Sequence, residues 1–203
     1  MEGLSEKKVL DLKNPNFQAI ECVNWEKFQY KPEVRFKISN DARKIYLRFE
    51  VREKYIRAVE TETNGNVYQD SCVEFFISPL SDGNYYNFEF NCAGVPHVAY
   101  GPDRYQRKQL PLEIIEQIKI DSSLGSAPFA EKEGDFSWAL ELEIPVSCFL
   151  YDHLNFFSGL KSKANFYKCG DLTTIPHYLS WNPINTKDPD FHQFSYFGDL
   201  LFS

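Results

Sequence analysis

The sequence has no apolar run near the roughly 20 residues that a membrane-spanning helix needs. Its start, Met1-Glu2-Gly3-Leu4-Ser5-Glu6-Lys7-Lys8, lacks the apolar centre of a secretory leader. The expectation is a cytoplasmic protein unless a leader has been removed. Positive charge is in short supply. Lys and Arg number 22 against 29 Asp and Glu, a formal net charge of -7. Nucleic-acid backbones and anionic membranes both need a cationic footprint, so neither is expected as a partner. Gly-x-Ser-x-Gly, His-Glu-x-x-His and phosphate-binding glycine loops are absent, which removes the chemistries that depend on them. The four histidines, at 97, 153, 177 and 192, have no metal-ligand spacing. No Cys-x-x-Cys pair occurs among the five cysteines, at 22, 72, 92, 148 and 169. Their number is odd, and Cys72 and Cys92 lie in apolar runs. Reduced, buried thiols are therefore expected rather than a disulfide framework.

What is present is aromatic and strand-like. Eighteen Phe and twelve Tyr bring the aromatic share to 16%. Rings pack well on pleated surfaces, so most of them are assigned to sheets. Val34–Ile38 and Ile45–Val51 alternate apolar and polar residues around a turn composition at 39–44, a hairpin pattern. Cys72–Ile77 is almost continuously apolar, as in a central strand covered on both faces. Tyr85–Asn91 alternates after the turn Ser81-Asp82-Gly83-Asn84, with Tyr86, Phe88 and Phe90 on one face. Tyr85, Asn87, Glu89 and Asn91 share the other face, which reads as a solvated outer face with some potential for binding. Phe136–Ile144 is the clearest alternation, and Pro145 stops it. Segments 163–168, 178–181 and 200–202 read as later strands. Residues 111–118 fit a helical turn or a strand, and a short helix fits near 146–150. The 203 residues are expected to form one domain, an all-β, antiparallel β-sandwich of two sheets, jelly-roll or immunoglobulin-like, with little helix.

Two distant segments carry the candidate chemistry. Asn66–Ser78 places Tyr68 beside a strand, and Tyr178–Ile184 places Trp181 at the end of another. Two flat apolar rings with amide and carboxylate groups nearby suit a sugar, which has apolar CH faces and a rim of hydroxyls. Taken singly, each ring is more often a packing residue. Glu74 and Glu89 could instead act as a glycosidase carboxylate pair, although any acidic β protein offers such pairs. Asp70, Asp188 and Asp190 could supply oxygen ligands to calcium, with a solvated acidic loop as the plainer account.

The run Tyr68-Gln69-Asp70-Ser71-Cys72-Val73-Glu74-Phe75-Phe76-Ile77 resembles the Trp-x-x-Asp-Ser-Val-Glu-hydrophobic strand of family 9 carbohydrate-binding modules, with Cys72 as one added residue. Ser180-Trp181, Pro189 and Phe197-Gly198-Asp199-Leu200 resemble the closing Ser-Trp, Pro and Phe-Gly-x-Leu of that family. Asn24-Trp25, Ala42–Val51 and Glu143-Ile144-Pro145 fall in the order of its earlier elements, so the similarity spans nearly the whole chain. The resemblance implies a β-sandwich that binds a mono- or oligosaccharide, at a chain end or otherwise, without catalysis. Carried over by position, Tyr68 and Trp181 are the two rings that hold one sugar unit, and Glu74 and Asn91 are polar contacts. Glu89 stands where the family has a sugar-contacting Arg, so a cation is missing there. Tyr68 replaces a Trp. Relatives carry structural calcium, and the resemblance allows it here without assigning ligands. It also points to polysaccharide use by bacteria. The rival readings are a glycoside hydrolase using Glu74 and Glu89 and a protein-interaction sandwich. A haem-binding sandwich using Met and His is disfavoured, because Met1 is the sole methionine.

Overall fold

Alternation sets the strands, and the strands form two sheets. The structure is a computed structural model that describes residues 7–203. The leader reading and Met1 fall largely or wholly on residues 1–6, outside the described residues. In chain order, β1 is Val9–Asp11, β2 Gln18–Ala19, β3 Cys22–Val23, β4 Glu33–Asn40 and β5 Lys44–Ala58. Then come β6 (Cys72–Ser78), β7 (Tyr85–Asn91), β8 (Pro96–Gly101) and β9 (Lys108–Gln109). The last five are β10 (Lys119–Ser122), β11 (Phe129–Pro145), β12 (Lys161–Cys169), β13 (Tyr178–Ser180) and β14 (Gly198–Leu201). Among the described residues, helix is limited to α1 (Leu112–Ile115) and three single turns.

One sheet runs β1-β14-β12-β6-β7-β8-β9, with β13 beside β12 and β3 beside β13. The other runs β10-β11-β5-β4-β2. Pairing is antiparallel except where β1 lies parallel to β14. This is the two-sheet sandwich the patterns predict. The segment at 111–118 resolves as one helical turn, α1, and that at 146–150 as a single turn at Val146–Cys148.

Between the sheets, rings stack in a column. Phe166 lies 3.7 Å from Phe36 and 4.9 Å from Phe75, both near-parallel. Trp181 closes the column edge-on, 6.1 Å from Phe36 and 5.7 Å from Phe166.

β6 is buried on both faces, as its apolar run predicts, but the opposite face of β7 departs from the sequence reading. Tyr85, Asn87, Glu89 and Asn91 are all buried, not solvated. The cause is the long connection from β13 to β14, which folds back over that face. Its Phe191 stacks on Tyr167 at 4.2 Å, and its His192 lies 4.9 Å from Phe76. Phe191, Tyr167 and Phe76 join Phe197, Ile184 and Trp25 in a second, smaller apolar cluster. The sheet is therefore covered on both sides, and the second cover is incomplete. It leaves a cavity.

Candidate functional site

The cavity has a volume of about 400 Å³. Glu74 of β6, Glu89 of β7 and Cys169 at the end of β12 line it from the sheet. Register makes this floor: Glu74 pairs with Glu89 directly across β6 and β7, and Cys169 pairs with Cys72 across β12 and β6. Tyr68, in the single turn Val67–Gln69, and Tyr178, at the start of β13, add rings to the walls. Tyr178 is held by the edges of Phe28 at 4.8 Å and Trp25 at 6.2 Å.

Arg104 and Arg107 also line the cavity, from the loop between β8 and β9. This loop doubles back on Gly101, where a Cβ would stand 2.6 Å from Gln106 O and from Arg107 Cα. Asp103 pins it by accepting the backbone N–H groups of Tyr105 and Gln106 at 2.7 and 2.8 Å. Arg107 donates to Glu89 Oε1 at 3.3 Å, and Asn87 Nδ2 donates to the same oxygen at 2.8 Å. A guanidinium never accepts. The 3.3 Å contact between Arg107 Nη1 and His192 Nε2 therefore makes Nε2 the acceptor. His192 Nδ1 then carries the proton and donates to Tyr85 Oη at 2.9 Å. Arg107 is fixed from two sides, across the floor of the cavity. Arg104 reaches Asp190 at 3.2 Å. The neighbouring loop thus sets a cation beside Glu89.

Two site expectations fail. Trp181 is 1% exposed and belongs to the inter-sheet core, so it is not a sugar platform. Asn91 is fully buried and does not line the cavity. Its amide donates to Asp70 Oδ2 at 3.0 Å and Glu60 O at 3.1 Å, while its oxygen accepts from Ala93 N and Val95 N. Its oxygen holds the turn after β7 and its amide ties that turn to the segment from Glu60 to Asp70. Tyr68, Glu74 and Glu89 are brought together, and Tyr178 stands where Trp181 was expected. Arg104, Arg107, Asp171 and His192 were missed. The only signal was two arginines three residues apart in an acidic chain, inside a turn composition.

Of the calcium candidates, Asp70 and Asp190 are engaged elsewhere. Asp70 is buried, ion-paired to Arg57 at 2.7 Å, and accepts from Val59 N, Glu60 N and Asn91. Donors surround it, leaving no place for a cation. Asp190 accepts from His192 N and Gln193 Nε2 besides pairing with Arg104. These residues do not fit a calcium ion.

Burial sets the protonation. Asp171, on the cavity wall, is pushed up to about 6, chiefly by burial. Glu74 lies well above the carboxylate range, from burial first and the Glu89 charge second. Folding retains a proton on each, so their stabilising contribution is full at low pH and fades as pH rises through the folded values. His192 is opposite. Burial, then the charges of Arg107 and Arg104, push it down to about 2. Its contribution is lost as pH falls below the unfolded value of about 6.5. The two trends offset, so the measurable quantity is a difference. Asp171→Asn should gain unfolding free energy relative to the parent on going from about pH 5 to about pH 7.5, read by urea unfolding. An equal difference at both pH values would place Asp171 in water.

The comparisons with known proteins follow this geometry. The family model for carbohydrate-binding family 9 matches residues 5–202. A crystal structure from Bacteroides uniformis ATCC 8492, provisionally named a carbohydrate-binding protein, is 44% identical, with a TM-score of 0.91 over 93% of this chain and 87% of that one. A family 9 module from Caldicellulosiruptor kristjanssonii, solved with glucose, has a TM-score of 0.59 at 14% identity, covering 100% of this chain and 92% of that one. The module from the same organism solved with cellotriose gives 0.55 at 14%, covering 97% and 90%. At that identity the likeness concerns the fold. No curated protein matches the chain.

Proposed function

The chain belongs to carbohydrate-binding family 9, and from that premise we propose that it binds a sugar without turning it over. One unit sits in the cavity against Tyr68 and Tyr178, in the service of polysaccharide use. The observation that carries this reading is the cavity itself: two tyrosines on the walls, and Glu74, Glu89 and Arg107 on the floor. Tyrosine faces bury sugar CH groups, and the fixed Arg107–Glu89 pair offers a donor and an acceptor to neighbouring hydroxyls. A site built to hydrogen-bond hydroxyls rejects ligands that lack them.

Both carboxylates are engaged within the site: Arg107 and Asn87 donate to Glu89, and the Cys169 thiol donates to Glu74. Glu74 and Glu89 are directly opposed on adjacent strands, so their Cβ atoms lie about 5 Å apart on one floor. That spacing is also the one a retaining glycosidase pair uses, so release of product decides between binding and hydrolysis.

Titration calorimetry with glucose, cello-oligosaccharides and a wider sugar panel tests the reading. Saturable binding of at least one sugar is expected, with no product released on long incubation. Tyr68→Ala and Tyr178→Ala should each weaken it about tenfold, from about 50 Å² of lost ring contact at roughly 25 cal/mol per Å². Absence of binding across the panel would overturn the proposal, and turnover would move Glu74 and Glu89 to the hydrolase reading.

A further inference from the structure

The cavity floor also holds two thiols beside Glu74 that sugar recognition does not account for. Cys72 Sγ, Cys169 Sγ and a Glu74 carboxylate oxygen all lie within 4.8 Å of one another, and all three residues are buried. Register explains the cluster. Cys72 and Cys169 are direct partners across β6 and β12, and Glu74 follows Cys72 by two residues, which returns it to the same face. Both thiols are unbonded. Cys169 Sγ donates to Glu74 Oε1 at 3.1 Å. The Cys72 thiol has only the long contact to Val73 O at 3.7 Å. Among the described residues this is the only such grouping of His, Cys, Asp and Glu.

We propose that Cys72, Cys169 and Glu74 form a binding site for a thiophilic divalent cation, zinc in the first place, with its fourth position open to the cavity. The donor set selects the ion. Two sulfurs and one carboxylate suit zinc, and they suit calcium poorly, because calcium wants six to eight oxygens. Three protein ligands with one open position is the arrangement of accessible zinc sites rather than of closed structural ones. The open direction follows from the lining: Glu74 and Cys169 border the cavity, whereas Cys72 lies beneath them. That cavity is also the entry path. Two thiolates and a carboxylate around Zn²⁺ leave one net negative charge, and Arg107 borders the same cavity to offset it. The cysteines at 22, 92 and 148 lie outside the cluster and serve as internal controls.

The test uses the full chain, reduced with a phosphine and stripped by a chelator, and titrated with Zn²⁺ or Co²⁺ alone. One equivalent of Zn²⁺ should survive dialysis and raise the melting temperature. One equivalent of Co²⁺ should give a thiolate-to-cobalt charge-transfer band with tetrahedral visible bands. Both responses should vanish in Cys72→Ser and Cys169→Ser and persist in Cys22→Ser. Glu74→Gln, which keeps the side-chain volume, should weaken Zn²⁺ by at least about tenfold, the least expected when a ligand's own support costs that much. It guards against a serine variant that fails to fold. A parent protein with no cobalt–thiolate band would overturn the proposal. So would a band that persists in folded Cys169→Ser, or titration that finds Cys72 and Cys169 joined as a disulfide. Because the readouts need no sugar, failure here leaves the carbohydrate reading standing, and the reverse also holds.

Discussion

Trp181→Ala is expected to lower the unfolding free energy by about 3–5 kcal/mol, the range for emptying a buried aromatic position. The sequence reading points the other way, since it makes Trp181 an exposed platform whose loss costs binding and spares the fold. Trp181 is instead 1% exposed, edge-on to Phe36 and Phe166 between the two sheets. Gly198 lies directly against it: a Cβ there would meet Trp181 Cζ3 at 2.7 Å and Lys8 O at 2.6 Å. The ring therefore keys β14 to the core, and its removal opens a void that backbone on one side cannot fill. The indole N–H has no partner among the described residues, which makes Trp181→Phe the informative control. Phenylalanine removes that unpaired donor and part of the volume, so it should cost much less than alanine. Urea unfolding of the two variants measures both effects. If Trp181→Ala unfolds like the parent but no longer binds a sugar, the ring belongs to the site after all.

The same residue shows which parts of the molecule the sequence makes legible. The residues that carry the family resemblance are mostly scaffold. Asp70 anchors Arg57, two backbone N–H groups and Asn91, while Trp181 and Gly198 interlock. Such residues follow from fold geometry and recur at fixed spacing, so a pattern reveals them. Period-2 alternation likewise reveals β4, β5, β7 and β11, because each buries one side against the opposite sheet. The face of β7 bearing Glu89 reads as solvated for a physical reason. Its cover, Phe191 and His192, arrives about a hundred residues later in the chain, and periodicity carries no information about what packs on an outer face. Arg107 is hidden by the same logic. Only the pairing of β8 with β7 brings its loop to Glu89.

Lys168→Met is expected to cost about 3–5 kcal/mol, and the double replacement Lys168→Met/Glu53→Leu to cost less than either single change. Glu53 of β5 and Lys168 of β12 come from opposite sheets and meet with no exposure at all, Lys168 Nζ standing 2.9 Å from Glu53 Oε2. The contact is a charge pair set off the hydrogen-bonding direction, since Glu53 Oε2 accepts no hydrogen bond. Lys168 spends its donors on Cys169 O at 2.9 Å and His177 Nε2 at 2.8 Å. His177 can accept because its Nδ1 donates to Ile175 O, and burial followed by the Lys168 charge holds the ring neutral, far below its ordinary range. Trp138 Nε1 donates to the other Glu53 oxygen at 2.8 Å. Removing Lys168 strands a carboxylate with one indole N–H for company, inside a core where an unpaired charge is far costlier than in water. Removing both charges restores an apolar contact between the sheets, and desolvation of neither ion then has to be offset. A double-mutant cycle in urea separates the two contributions: strong negative coupling is expected, with the double variant nearer the parent than Lys168→Met. Additive losses would mean that each side chain supports the core through its own packing, and that the inter-sheet charge pair contributes nothing of its own.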